Sequence, residues 1–254
     1  MITSDPKELD LLRQSGRILA KTLAIAQAHV RPGVSALELD QIAEQEIRSS
    51  GACSAFKNYS SMKGQKPFPA SLCVSVNDEV VHGIPSKDKI LRQGDIVGLD
   101  LGVVYQGFYT DAAVTVAVGK VDIESLRLIE TARIALKTAL KVRAGDFTGD
   151  IGQTIEEVAR QNKFNVVREL VGHGVGKSVH EDPEVPCYGK SGTGTKLVSG
   201  MVLAIEPMIN AGAWKVIFTD DGWTVKTADG SRSAHFEHTV IVTENGCETL
   251  TNMV

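Results

Sequence analysis

Basic excess, paired cysteines and long apolar runs are all missing from this 254-residue sequence, and each absence excludes a class of protein. Lys and Arg number 27 against 31 Asp and Glu, and the net charge of −4 offers no electrostatic footprint for nucleic acid. Cys53, Cys73, Cys187 and Cys247 lack CxxC spacing and are too sparse for a disulfide scaffold of this size; they are expected to be reduced and mostly structural. No apolar run approaches the ~18 residues that span a bilayer. The opening "MITSDPKELDLLRQSGRIL" has neither the basic start nor the apolar stretch of a signal peptide, so a cytoplasmic protein without nucleic-acid or membrane partners is expected. A GxSxG elbow and an HExxH helix are also missing, and the glycines of "GHGVGK" lack dinucleotide spacing. No low-complexity linker divides the chain.

What is present suits a globular protein with a large core: 43 % hydrophobic and 23 % charged residues. Ser4 or Asp5 caps a helix with Pro6 and Glu8 in its first turn, and Leu11, Leu12, Ser15, Ile18, Leu19, Thr22 and Leu23 carry it towards Arg31-Pro32-Gly33. A second helix is expected from about Ser35 to Gly51, and strands over 70–81 and 95–118. The order then repeats. "LLRQSGRILAKTLA" (11–24) aligns with "RLIETARIALKTAL" (127–140), and "PGVSALELDQIAEQ" with "AGDFTGDIGQTIEE". Two helix pairs, each followed by strands, predict an α+β fold in one domain of duplicated halves, about 1–120 and 121–254, with an inner, mostly antiparallel sheet and outer helices.

Charged residues inside apolar runs carry the functional signal. In "GDIVGLDLGVVYQGFYTDAAVTVAVG" a two-residue turn at Gln106-Gly107 pairs Tyr105 with Phe108 and sets Asp111 opposite Gly102. Asp100 shares the face of Gly102, so the two aspartates become diagonal neighbours roughly 7–8 Å apart at the backbone. Burying either unpaired would cost several kcal/mol. The second half adds Glu206 in "MVLAIEPMIN" and Glu237 in "SAHFEHTVIVT", the latter on the Thr239 and Ile241 face of its strand. "LVGHGVGKSVHEDP" contributes His173 and His180, with Gly172, Gly174 and Gly176 keeping the backbone around His173 open to close approach. Five of the six histidines, His82, His173, His180, His235 and His238, fall in these stretches; His29 stands apart. Four carboxylates and one imidazole make an oxygen-rich site able to hold two divalent cations and hydrolyse an amide or ester.

"FPASLCVSVNDEVVHGIP", "GDIVGLDLGVVYQGFYTD", "LVGHGVGKSVHEDP", "LAIEPMIN" and "AHFEHTVIVT" together resemble, in order and over nearly the whole chain, the methionine aminopeptidases of the pita-bread (creatinase/aminopeptidase-like) fold, in their type I branch. The resemblance implies that Asp100, Asp111, His173, Glu206 and Glu237 are metal ligands for two divalent ions, Co, Mn, Fe or Zn, with Asp111 and Glu237 bridging. It implies that His82 contacts the substrate near its amine, that His180 hydrogen-bonds the scissile carbonyl, and that Glu206 doubles as general base. Phe68, Cys73 and Trp223 are the expected pocket walls. The implied activity is removal of the N-terminal methionine from new polypeptides or peptides when the second residue is small, by a monomer that meets the ribosome transiently. Four features depart from the family pattern: Val81, Val179, His235 in place of a frequent glutamine, and a longer "KNYSSMKGQK" before Pro67. They bear on pocket shape; the ligands are intact.

Two rivals compete. An Xaa-Pro peptidase of the same fold would share the ligands but usually carries an additional N-terminal domain, whereas a helix is expected here from residue 6. A non-catalytic binding protein on this scaffold would be expected to lose ligands and gain basic surface, and neither feature is present.

Overall fold

The computed structural model describes residues 1–60, 64 and 66–252; part of the longer segment before Pro67, residues 61–63 and 65, lies outside them. Its helices lie in two pairs, α1 (Pro6–Ala28) against α2 (Ala36–Ser49) and α3 (Ile123–Ala139) against α4 (Thr148–Gln161). Asp5 caps α1 by accepting the Lys7 N–H at 2.8 Å, and Ser35 caps α2 by accepting that of Glu38 at 3.2 Å. α1 stops at Ala28, short of the Arg31 expected from sequence. Pro32 disfavours a helical conformation at the residue before it, and the His29 ring has already engaged the Ile25 carbonyl at 2.8 Å.

Every strand pair among the described residues is antiparallel. The longest is the hairpin of Ile96–Tyr105 with Phe108–Ala117. Its turn residues Gln106 and Gly107 both have positive φ, 48° and 82°, as a two-residue turn requires. The register follows: Tyr105 opposes Phe108 and Gly102 opposes Asp111. Leu72–Val76 pairs alongside and sets Cys73 opposite Asp100. A second sheet runs in the order Gly246–Thr249, His238–Thr243, Val202–Ile205, Val171–Gly174, Glu181–Pro186.

Two apolar cores support these sheets. Leu19, Leu39, Leu72, Leu99 and Leu101 belong to the one under α1 and α2, and Leu128, Ile151, Leu203, Ile205 and Val240 to the one under α3 and α4. Phe236 packs against both. Next to it two threonine hydroxyls join the sheets. Thr239 Oγ1 accepts the Asp111 N–H at 2.8 Å and donates to the Asp111 carbonyl at 2.7 Å. Thr115 Oγ1 does the same for His235, at 2.9 and 2.8 Å. Between them the Glu237 N–H donates to the Ala113 carbonyl at 2.9 Å. Residues 120 or more positions apart are thereby fixed side by side. No helix among the described residues is long and apolar enough to cross a membrane.

Candidate metal centre

Several strands deliver the acidic residues to one place. Asp100 and Asp111 stand on the long hairpin, His173 on Val171–Gly174, Glu206 just beyond Val202–Ile205, and Glu237 just before His238–Thr243. Sequence alternation assigned Glu237 to the strand itself, but the strand begins one residue later, because Glu237 spends its N–H on Ala113 in the other sheet. Gly172 permits the approach of Glu206: a Cβ there would stand 3.3 Å from Glu206 Cγ and 2.5 Å from the Ala204 carbonyl oxygen. Gly102 plays the corresponding part beneath Phe56, whose Cε1 would lie 2.7 Å from a Cβ.

These groups are buried and poorly satisfied. Asp100, Asp111 and Glu237 are 7 %, 3 % and 2 % exposed. Asp100 Oδ1, Asp111 Oδ1, Glu237 Oε1 and His235 Nε2 have no hydrogen-bond partner among the described residues. Burial pushes the Asp100 carboxyl up to about 6, with the Glu206 charge adding to the rise and His235 opposing it. Burial lifts Asp111 and Glu237 well above the carboxylate range, reinforced for Asp111 by Asp100 and Glu206 and for Glu237 by Asp111, Glu206 and Asp100. Glu206 goes the other way: burial would raise it, but the His235 contact and the fields of His173, His235 and His82 outweigh burial and favour the ionised form.

The donors fit a divalent cation. Ligand atoms of Asp111, His173 and Glu237 all lie within 4.8 Å of one another. His173 Nδ1 is 2.9 Å from the Gly174 carbonyl, which can only accept, so Nδ1 carries a proton and, in the neutral ring, Nε2 presents a lone pair. That lone pair faces Glu206 Oε1 at 3.5 Å. A buried carboxylate facing an imidazole nitrogen at that distance needs a positive charge between them, a proton on Nε2 or a divalent cation in its place.

Above the acids lies a cavity of about 110 Å³. All three expected walls, Phe68, Cys73 and Trp223, line it together with His82 and His180. Trp223 stands edge-on to Phe68 at 5.3 Å and to His82 at 6.2 Å, and its Nε1–H donates to the Lys66 carbonyl at 2.8 Å. Burial drops both His82 and His180 to about 4, so each is a neutral imidazole at physiological pH. His82 also has a positive φ of 57°, uncommon for a side-chain-bearing residue and concentrated at functional sites. Burial, with the Asp100 charge next, holds the Cys73 thiol protonated, which suits a wall and not a nucleophile.

Sequence reasoning missed three residues here. Phe56 and Tyr59 line the cavity, and no periodicity marks them. His235, placed by sequence among the histidines of these stretches and as a departure from the family pattern but given no role, has its Nε2 3.5 Å from Glu206 Oε2 and 4.0 Å from Glu237 Oε2. Conversely, His238 points away, its Nδ1 2.9 Å from Thr251 Oγ1. Val179 packs with Phe56 and Phe68 behind the cavity, and Val81 pairs with Val225.

The chain is similar to known proteins over nearly its whole length. Residues 10–244 match the model of metallopeptidase family M24. A methionine aminopeptidase of Clostridium perfringens is 48 % identical over 252 residues, covering 99 % of this chain and 98 % of that protein. The crystal structure of a methionine aminopeptidase from Thermotoga maritima superposes with a TM-score of 0.95 at 43 % identity, over 99 % of this chain and 100 % of that one. A prolidase from Pyrococcus furiosus shares the fold at 23 % identity and a TM-score of 0.76, over 99 % of this chain and 65 % of the prolidase.

Proposed function

The chain belongs to metallopeptidase family M24, and from that premise we propose that it is an aminopeptidase that removes N-terminal methionine from nascent polypeptides and peptides with a small second residue. One observation carries the reading: a buried carboxylate–imidazole cluster with unpaired donors closes the floor of a small, largely apolar cavity. Such a cavity suits one unbranched apolar side chain whose α-amine reaches the acids. Asp100, Asp111, His173, Glu206 and Glu237 would hold two divalent cations, of manganese, iron, cobalt or zinc. When bound, these supply water activation at neutral pH and polarisation of the scissile carbonyl.

The chain's own groups do the rest. Glu206, favoured in its ionised form, takes a proton from the attacking water and returns one to the leaving amine. His82, on the cavity wall beside Trp223, orients the substrate amine. His180 donates to the carbonyl oxygen as charge develops on it. Phe68, Cys73 and Trp223 exclude water around the methionine side chain. We also read residues about 1–120 and 121–254 as related halves of one domain acting as a monomer, in transient contact with the ribosome where nascent chains emerge.

A metal-loaded assay tests the reading. Met-Ala-Ser should release methionine, Ala-Pro-Ser should be inert, and Met-Ile-Ser should show a kcat/KM lower by on the order of a hundredfold, since a β-branched second residue meets the cavity mouth. Cleavage of Ala-Pro-Ser in preference would establish the Xaa-Pro reading, and comparable rates for the two methionyl peptides would overturn the small-residue rule. His180→Ala should lower kcat about a hundredfold and change KM by less than about threefold. A raised KM at unchanged kcat would assign His180 to ground-state binding.

A further inference from the structure

Tyr59 lies outside every motif used above, yet its hydroxyl is 2.7 Å from Nδ1 of His180. The residue is held firmly. Its N–H donates to the Phe56 carbonyl at 2.9 Å, its carbonyl accepts the Phe68 N–H at 2.8 Å, and the neighbouring Asn58 N–H donates back to the Phe68 carbonyl at 2.8 Å. Its ring packs 5.3 Å from that of His180 and 6.3 Å from that of Trp223. On its other side the His180 ring meets His173 edge-on at 4.4 Å.

We propose that Tyr59 is a positioning residue whose hydroxyl, by donating to Nδ1 of His180, fixes the imidazole in the tautomer that carries its proton on Nε2. The direction of the bond follows from counting protons. Among the described residues the hydroxyl has no other hydrogen-bond partner, so donating to Nδ1 places its proton inside the protein, whereas accepting from Nδ1–H would send that proton to solvent at the edge of the site. Burial keeps the phenol protonated. Donation to Nδ1 satisfies both groups and leaves Nε2–H as the ring's free donor, the form needed to bind a carbonyl oxygen. The opposite tautomer would present a lone pair to that oxygen and repel it. The inference rests on the role assigned to His180 above, and ties the loop before Pro67 to the chemistry.

The test uses the full-length, zinc-loaded enzyme, which is diamagnetic. Long-range ¹H–¹⁵N correlation of the imidazole nitrogens should show His180 as the Nε2–H tautomer. Tyr59→Phe keeps the ring and should convert that signature to a mixture, with kcat for Met-Ala-Ser about tenfold lower and KM within about twofold. Placing 4-aminophenylalanine at position 59 restores a donor and should restore both readouts, which also separates the effect from misfolding. An Nδ1–H tautomer in the native enzyme would overturn the proposal. So would a fall in kcat with the tautomer unchanged, since that is the result of a packing role alone. If the native enzyme does not cleave Met-Ala-Ser while the His180 signature still responds to Tyr59→Phe, the assigned activity is wrong and the positioning stands.

Discussion

Glu237→Ala should abolish peptide hydrolysis, by on the order of a thousandfold or more, and reduce the number of divalent cations the protein binds. Glu237 is 2 % exposed, its N–H is spent on Ala113, and its Oε1 has no partner among the described residues. A carboxylate placed there fits the cation-holding role proposed for it. Its own surroundings, Asp111, Glu206 and Asp100, work against its charge. On the two-cation reading proposed above, its removal would take a negative charge from the site, and the two cations would be held less well against their mutual repulsion in a medium of low dielectric. Calorimetric titration with manganese or cobalt checks the stoichiometry. Glu237→Gln, which keeps the shape, should lose activity equally while the metal-free variant melts no lower than the metal-free native protein. Full turnover in either variant would sink the two-cation reading.

Removing metal should make the protein's stability depend on pH in a direction opposite to that of most proteins at neutral pH. In an unfolded chain Asp111 and Glu237 lose their protons near pH 4. In the metal-free fold, burial first and neighbouring carboxylates second hold those protons to far higher pH. Wherever the native state binds more protons than the unfolded one, stability falls as pH rises. His82, His180 and His238 act the other way: burial lowers each to about 4 from an ordinary 6.5, so their contribution grows with pH and is complete near 6.5. From about pH 6.5 to 8, above the window of these histidines and below the range of the buried thiols, the raised carboxyls set the slope, and Tm of the metal-free protein should fall by several degrees. Saturating divalent cation binds the ionised site, raising Tm and removing that slope. Scanning calorimetry across this range with and without manganese decides the matter: a flat metal-free profile, or no rise on adding any of the four metals, would contradict the assignment of these residues as ligands.

Much of this site was legible in the residues because hairpin geometry is local. The dipeptide Gln106-Gly107 sets a two-residue turn, the turn sets the register, and strict alternation of side chains then puts Asp100 and Asp111 on one face without reference to the rest of the chain. The helix caps at Asp5 and Ser35 are equally local. Residue types and their order along the chain likewise singled out Glu206, Glu237, His173, His82 and His180, because a carboxylate or imidazole in an apolar stretch signals a partner wherever that partner lies. Tertiary structure decided which of them meet. The hydroxyls of Thr239 and Thr115 join strands 120 or more positions apart, and that junction brings Glu237 to Asp111, turns His235 towards Glu206 and leaves His238 facing Thr251. Tyr59 reached His180 across 121 positions by the same means. Contacts of that range depend on how two sheets and two cores pack together, and no spacing in the chain records them.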